Sequence, residues 1–265
     1  LGFNNEGAAA MAKRLSNIER TCVVGVNIGQ NKNVFDEEIV ENYLKTLEIV
    51  YRVADYITIN VSSPNTPNLR KLQGARELEG LMSAIQGRMR VLSRVKPQTN
   101  PLSLSDVVDA QRSMTAKSKP LFVKIAPDLN ENEIEDIVDI CLANKIDGIV
   151  ATNTTVSREG LKTRGVMKTG PGGLSGKPLT KRSNEVISKI YRYSEGQMPV
   201  IGVGGVFTAE DAFDKFAAGA CLIQAYTGFV YSGPSFARTI NKGLADIVEE
   251  RGYGNLDDVV GTAVK

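Results

Sequence analysis

The chain has 265 residues, of which 42% are hydrophobic and 23% are charged, and these fractions are typical of a soluble globular protein. Its formal net charge is only +2, so no nucleic-acid partner is indicated, and no apolar run approaches the length of a membrane span. The chain contains no histidine, which excludes a Ser-His-Asp triad, a histidine metal site and a histidine general base.

The three cysteines, Cys22, Cys141 and Cys221, are far apart and do not have the spacing of a metal site. Cys22 and Cys221 begin apolar runs, so we expect their thiols to be small buried side chains. Such cysteine usage fits a reducing compartment better than secretion. No metal site is predicted.

From the amino terminus onwards, short β-branched apolar runs alternate with amphipathic helical patterns. Each apolar run ends in polar residues or glycine, as expected of strands in a parallel sheet. In chain order, we expect a helix at 8–18, a strand at 22–26 ending in Asn27-Ile28-Gly29, a helix at 36–53, a strand at 56–59, a helix at 75–91, a strand at 121–126, a helix at 131–142, a strand at 148–151, a helix at 180–193, a strand at 199–203, a helix from about 208, a strand at 222–227 and a helix at 235–250.

Residues 93–119 differ from the rest of the chain in composition. They contain prolines, many Ser and Thr, several lysines and only a weak helical pattern. Such a segment has little apolar surface to bury, so we predict a mobile surface insertion.

Six strand-then-helix units in a row predict an α/β protein. In a doubly wound sheet the functional loops cluster at one switch point, whereas here all six strand ends carry polar residues or glycine. This distribution favours a (β/α)8 TIM barrel, in which the strand ends converge on one mouth. Since such a barrel closes with eight strands, we expect two further units before Leu1 and interpret 1–265 as one barrel domain, truncated at its amino terminus.

The polar stretch Asn60-Val61-Ser62-Ser63-Pro64-Asn65 follows the strand at 56–59 directly. Its Asn and Ser side chains offer amide and hydroxyl groups that can hold a small, polar, planar ligand. Pro64 stops the strand and stiffens the turn that carries Ser63 and Asn65. A simple loop is the alternative, and it is less favoured because similar strand ends recur along the chain.

Lys124 lies in the middle of the apolar run at 121–126. Burying an ammonium group without a partner is costly, which favours a functional role. Two roles stay open: a cation that faces an anionic cofactor or intermediate, or an amine with a lowered pKa that forms a Schiff base.

Gly202-Val203-Gly204-Gly205 ends the strand at 199–203 and suits a phosphate group. Backbone amides approach an anion closely where there is no Cβ, and the next helix directs its positive end towards it. Residues 172–178 lack the P-loop pattern, because proline follows Lys177.

Four asparagines are expected at the same mouth, where side-chain amides can pair with the imide or amide edges of a ring such as a pyrimidine. These are Asn27, Asn60, Asn65 and Asn153.

Together these motifs resemble the dihydroorotate dehydrogenase family, and specifically its quinone-dependent class 2. The resemblance covers nearly the whole chain apart from the insertion at 93–119. Ser63 fits class 2, because class 1 members have a cysteine base at the matching position. The matching stretches are 25–32, 60–65, 123–128, 152–155, 172–178, 202–206 and 226–227.

The resemblance implies oxidation of dihydroorotate to orotate in pyrimidine biosynthesis, with FMN as hydride acceptor and ubiquinone as second substrate. By motif match, Ser63 is the base that takes the C5 proton and passes it on through water or Thr, and Lys124 stabilises negative charge on the reduced flavin. The positions that match flavin contacts are Asn27, Asn60, Lys124, Thr152, Gly176, Gly204, Gly205, Tyr226 and Thr227. The positions that match substrate contacts are Asn4, Asn60, Ser63, Asn65, Asn153 and Thr154.

The family's amino-terminal helices, which form the quinone tunnel and the membrane contact, have no counterpart in this sequence. Quinone use and membrane contact are therefore expected from class alone. The class implies the mitochondrial inner membrane in eukaryotes and the cytoplasmic membrane in bacteria, and the insertion at 93–119 favours a eukaryotic member.

Two other functions remain as alternatives. A Schiff-base aldolase on the same barrel would use Lys124 as its reactive amine. A non-catalytic ligand-binding barrel would bind orotate without turning it over, but the acid-base and cationic groups argue against it.

Overall fold

The computed structural model describes residues 5–31, 34–66, 68–94, 118–162 and 165–264. The strands are β1 Gly25–Gly29, β2 Tyr56–Asn60, β3 Leu121–Ile125, β4 Gly148–Ala151, β5 Val200–Val203 and β6 Leu222–Gln224. These six strands form one sheet in the order β1-β2-β3-β4-β5-β6, and every neighbouring pair is parallel. At least one helix lies between each pair of consecutive strands, so the chain is an α/β protein, as predicted.

The helix boundaries follow from local capping chemistry. The helices are α1 Ala8–Ser16, α2 Ile39–Val50, α3 Ala75–Arg94, α4 Glu131–Ala143, α5 Thr180–Tyr193, α6 Ala209–Ala217, α7 Thr227–Ser232 and α8 Phe236–Glu250. Capping boxes begin α4 and α6, formed by Asn130 with Glu133 and by Thr208 with Asp211, and they satisfy free amides of the first turn. Short 3₁₀ turns at both ends of α2 extend its helical stretch over the predicted 36–53.

The outer face of the sheet packs against helices and forms the main core. Side chains alternate along a strand, and Ile57, Ile59, Val123 and Ile149 lie fully buried on this face. Each such side chain contributes about 1.5–3 kcal/mol to folding by leaving water. This face therefore carries most of the apolar stabilisation of the strands.

The inner face of the sheet is strongly concave. Gln224 Nε2 on β6 lies 3.5 Å from Tyr56 Oη on β2, although three strands separate β2 from β6. In a flat sheet four strand spacings amount to about 19 Å. The sheet must therefore curl, so that polar side chains from distant strands converge on its inner side.

Several predicted boundaries differ from the structure. β1 begins at Gly25 because its pairing with β2 begins at Gly25 and Tyr56, which places Asn27 inside the strand rather than after it. The prediction of buried thiols at Cys22 and Cys221 is wrong, since both are exposed, while Cys141 is buried.

At the carboxyl end of the sheet, β2 includes Asn60, whereas β6 stops at Gln224. Tyr226 and Thr227 therefore do not extend β6 but begin the short helix α7, which the sequence did not predict. Residues 95–117 of the predicted insertion lie outside the described residues. Within the described ranges, no helix has the length and apolar character needed to cross a membrane.

Candidate active site

Three polar side chains at the carboxyl ends of β2 and β4 form one hydrogen-bonded group. Asn60 Oδ1 accepts hydrogen bonds from Ser62 N at 3.2 Å, Ser62 Oγ at 3.0 Å and Asn153 Nδ2 at 3.1 Å. Asn60, Ser62 and Asn153 are all buried, and we call them the amide cluster. Because Asn60 Oδ1 already accepts three hydrogen bonds, the Nδ2 of Asn60 is the group that can donate to a ligand.

Ser63 is buried in the loop directly after β2. Its Oγ accepts a hydrogen bond from Asn65 N at 3.2 Å. Asn65 Oδ1 in turn accepts from Gly173 N at 3.2 Å, which joins this loop to the long loop after β4. Thr154 N donates to Asn153 Oδ1 at 2.8 Å. The structure thus brings Ser63, Asn65 and Thr154 to the same end of the sheet as the amide cluster.

An ion pair holds the loops after β2, β3 and β4 together. Arg70 Nη1 lies 2.8 Å from Asp128 Oδ2, and the two side chains are only 25% and 22% exposed. Arg70 also donates from Nε to Ser62 O at 3.1 Å and from Nη2 to Thr154 O at 3.0 Å. Asp128 Oδ1 accepts from the hydroxyl of Thr155. A single guanidinium therefore fixes the backbone on both sides of the amide cluster.

Lys124 projects from β3 onto the inner face, where the sheet register places it beside Asn60. Burial lowers the pKa of Lys124 to about 8. No carboxylate forms an ion pair with Lys124 in the described part of the chain. An anionic ligand beside Lys124 would therefore stabilise the protonated, positively charged form of its side chain. Lys124 shares a cavity of about 90 Å³ with Gly25, Asn27, Tyr56, Thr58 and Gln224.

Gly204 and Gly205, which we call the glycine turn, follow β5 directly. Gly205 has φ +73°, and a Cβ at this position would lie 2.0 Å from Thr180 Oγ1, so glycine is required. Thr180 Oγ1 lies 3.0 Å from Gly205 O. The glycine turn is thus packed against the start of α5, with α6 beginning shortly after it.

The loop before α5 meets the start of α7. Gly176 has φ +82°, and a Cβ there would lie 3.3 Å from Thr227 Cγ2. Thr227 Oγ1 donates to Ser175 Oγ at 3.0 Å. Hydroxyl groups and glycine backbone therefore lie together at the strand ends of β5 and β6.

The remaining predicted site residues have different surroundings. Thr152 is buried, and its N donates to Val203 O at 2.9 Å, so it joins the end of β4 to the residue before the glycine turn. Tyr226 is 65% exposed at the start of α7. Asn4 lies outside the described residues.

Comparison with known proteins identifies the family. The family model described as dihydroorotate dehydrogenase matches residues 1–248. The chain belongs to the dihydroorotate dehydrogenase family. It is 43% identical to a dihydroorotate dehydrogenase (quinone) of Streptomyces avermitilis, covering 100% of this chain and 67% of the relative. It is 41% identical to the protein of the same name from Mycolicibacterium smegmatis, with the same coverage.

Solved structures that superpose on this chain belong to the same family. The ligand-free dihydroorotate dehydrogenase of Eimeria tenella superposes with a TM-score of 0.84 at 35% identity, over 100% of this chain and 73% of that chain. The complex of the Eimeria tenella enzyme with ferulenol gives a TM-score of 0.83 at 36% identity, over 98% and 69% of the two chains. This chain therefore spans about two thirds of the curated relatives named above and slightly more of the solved ones.

The sequence did not predict the residues whose side chains fix the loops and strand ends of the candidate site. Asp128 follows β3 closely, so the rule that finds polar strand ends could have found it. Arg70 lies in the short 3₁₀ helix Leu69–Gln73, away from any strand end, so the same rule could not have found it. Tyr43 on α2 donates to Asn60 O at 2.8 Å, but its pattern in the sequence is that of an ordinary core aromatic residue.

Proposed function

We propose that this chain oxidises dihydroorotate to orotate in pyrimidine biosynthesis, with FMN as hydride acceptor and a quinone as final electron acceptor. The main support is the convergence of Ser63, the amide cluster and Lys124 at one end of the curled parallel sheet. The family match and the relatives named dihydroorotate dehydrogenase (quinone) support the same reaction. The Schiff-base aldolase alternative is not favoured, since neither the family match nor the solved relatives point to it.

The residues present fit a flavin mononucleotide. A phosphate needs hydrogen-bond donors without steric crowding, and the backbone amides of the glycine turn can supply them at the end of β5. The hydroxyl of Ser175, which accepts a hydrogen bond from Thr227 Oγ1, keeps its own proton to donate. A polar ring needs amides and a cation, and Asn27 and Lys124 share one cavity on the inner face. When bound, the flavin would accept a hydride from the substrate.

The amide cluster suits the ring of dihydroorotate. Asn60 and Asn65 each use their side-chain oxygen within the protein, so each Nδ2 is left to donate to a carbonyl or carboxylate oxygen of the substrate. The hydroxyl of Thr154 lies next to the same group, 3.4 Å from Asn153 Oδ1. Since the cluster is already hydrogen-bonded, little ordering is needed when the substrate binds.

Ser63 is the proposed base for the C5 proton. Its Oγ accepts a hydrogen bond from the amide of Asn65, and this donor would stabilise the negative charge that builds on the oxygen as the hydroxyl gives up its own proton. A serine hydroxyl is a weak base, so its own proton must pass on to a further acceptor. The ammonium group of Lys124 supplies positive charge on the inner face, where it would stabilise negative charge on a bound ligand.

The wider architecture is also part of the proposal. The curled sheet, with each strand parallel to its neighbour, fits a (β/α)8 barrel, and we interpret 1–265 as a single FMN-binding domain. A lipid-soluble quinone acceptor places the protein at a membrane, either the mitochondrial inner membrane or the bacterial cytoplasmic membrane.

A turnover assay with the flavin-loaded protein tests the proposal. We expect orotate to accumulate when dihydroorotate and a short-chain ubiquinone are both present, and FMN to be released when the protein is denatured. Omitting the quinone under anaerobic conditions is the control and should stop turnover. Absence of orotate with FMN bound, or trapping of a substrate adduct on Lys124 by borohydride, would contradict the proposal.

A further inference from the structure

Lys215 is a fully buried lysine on α6 that the proposed chemistry does not use. Its Nζ donates to Ser183 Oγ at 3.0 Å and to Asn184 Oδ1 at 2.8 Å, both on α5. No carboxylate forms an ion pair with Lys215 in the ranges that the structure describes. A buried ammonium held only by neutral oxygens is costly, so its position calls for a further partner.

A chain of hydrogen bonds leads from Lys215 to the glycine turn. Ser183 Oγ accepts from Lys215, so its own proton is free to donate, and it does so to Val203 O at 2.6 Å. The same carbonyl accepts from Thr152 N at 2.9 Å. Val203 is the residue immediately before the glycine turn. Lys215 therefore fixes, through Ser183, the carbonyl where the ends of β4 and β5 meet.

The charges around Lys215 leave room for an external anion. Asp211, on the same helix, is bound by Lys177 and by the amides of Phe207 and Thr208. Burial lowers the pKa of Lys215 to about 7, although Asp211 and Asp214 act to raise it. An anion at the neighbouring glycine turn would stabilise the charged form of Lys215.

We propose that Lys215 is a positioning residue for the phosphate of the bound flavin: through Ser183 it fixes the glycine turn, and from behind the turn it supplies positive charge. The proposal rests on the proposed function, because it takes FMN as the ligand. Under this proposal, Lys215 increases the preference of the protein for FMN over riboflavin, although it lies on a helix outside the site.

Flavin binding to the full-length protein, stripped of its flavin, tests this role. Dissociation constants for FMN and for riboflavin, which lacks the phosphate, are measured by quenching of flavin fluorescence. The test variants are Lys215→Met, which keeps side-chain length without charge, and Ser183→Ala, which breaks the hydrogen-bond chain but keeps the lysine. The control is Lys181→Met, which removes an exposed lysine from α5.

We expect Lys215→Met to weaken FMN binding about tenfold and to change riboflavin binding less than about twofold. Ser183→Ala should weaken FMN binding in the same selective way, and it carries the test alone if Lys215→Met does not fold. Lys181→Met should match the wild type with both flavins.

Equal losses for FMN and riboflavin, or no loss for FMN, would overturn the role of Lys215 while leaving the proposed function intact. Wild-type protein that binds FMN no better than riboflavin would also overturn the role, because no phosphate site would then exist. Wild-type protein that binds neither flavin would overturn both proposals.

Discussion

The amide cluster and the glycine turn lie at the same end of the sheet, but different cations hold them. Arg70 fixes the loops around the amide cluster, and its charge is neutralised by Asp128 within the protein. Lys215 fixes the glycine turn through Ser183 and has only neutral partners. The first arrangement is complete without a ligand, whereas our proposal predicts that an anion bound beside the second arrangement stabilises the charge of Lys215.

We therefore expect the amide cluster and the glycine turn to serve different functions. A preorganised amide cluster favours rapid, specific chemistry on a small substrate, because little reorganisation is needed when the substrate binds. Under our proposal, a glycine turn backed by a lysine whose hydrogen-bond partners are all neutral favours retention of a phosphorylated cofactor. Changes near the amide cluster should therefore affect the substrate and its chemistry, and changes near the glycine turn should affect the flavin.

The largest effect is expected from Ser63→Ala, beside the amide cluster. Without the base, the rate of flavin reduction by dihydroorotate should fall by about 10²–10⁴-fold, while the FMN content should stay at the wild-type level. Stopped-flow absorbance measures the rate, and Ser16→Ala at the end of α1 is the control. A rate near that of the wild type would remove Ser63 as the base.

The next largest effect is expected from Arg70→Met. The change leaves Asp128 without its partly buried cation, so the free energy of unfolding should fall by about 1.5–3 kcal/mol. Orotate binding should weaken at least about tenfold, while FMN binding should change less than about twofold. Denaturant unfolding and ligand titrations measure these quantities, and Arg70→Met/Asp128→Asn is the matched control for the unpaired carboxylate.

If Arg70→Met weakened FMN binding as much as orotate binding, the two parts of the site would not be held separately. The contrast between the amide cluster and the glycine turn would then fail.

Lys124 lies on the inner face and, like Lys215, forms no ion pair in the described residues. Its pKa is about 8 in the folded protein instead of 10.5, so the charged form destabilises the fold below pH 8. In flavin-free protein, Lys124→Met should raise the free energy of unfolding by about 1–2 kcal/mol at pH 7.

Between pH 8 and 10.5 the unfolded chain keeps the proton of Lys124 and the folded chain loses it. Wild-type stability should therefore rise with pH in this window, and the advantage of Lys124→Met should disappear by its upper end. Denaturant unfolding at several pH values measures the difference, with Lys181→Met as control. A pH-independent difference would contradict a buried titrating lysine.

The smallest effect is expected from Tyr43→Phe, which removes the hydrogen bond to Asn60 O behind the amide cluster. The loss of one buried hydrogen bond should lower the free energy of unfolding by about 0.5–1.5 kcal/mol. Orotate binding should weaken slightly and FMN binding should not change. A larger effect on FMN binding than on orotate binding would contradict this expectation, because it would associate Tyr43 with the glycine turn instead of the amide cluster.

The sequence predicted the parallel α/β order because each strand is a short apolar run followed by polar residues or glycine. The same rule found Ser63, Asn60 and Asn153, since polar groups at strand ends have no role in a core. It could not find Arg70 or Lys215, because their side chains contact loops and helices that are distant in sequence. Nor could it find where β1 begins, since that depends on pairing with β2.

The most direct test of the proposed reaction is an absorption spectrum of the flavin-loaded protein before and after anaerobic addition of dihydroorotate. We expect oxidised flavin bands at the start and their bleaching after addition, which would show that the substrate gives its hydride to the bound cofactor. Bands that stay oxidised at saturating dihydroorotate would contradict the proposed substrate and the role of Ser63 together.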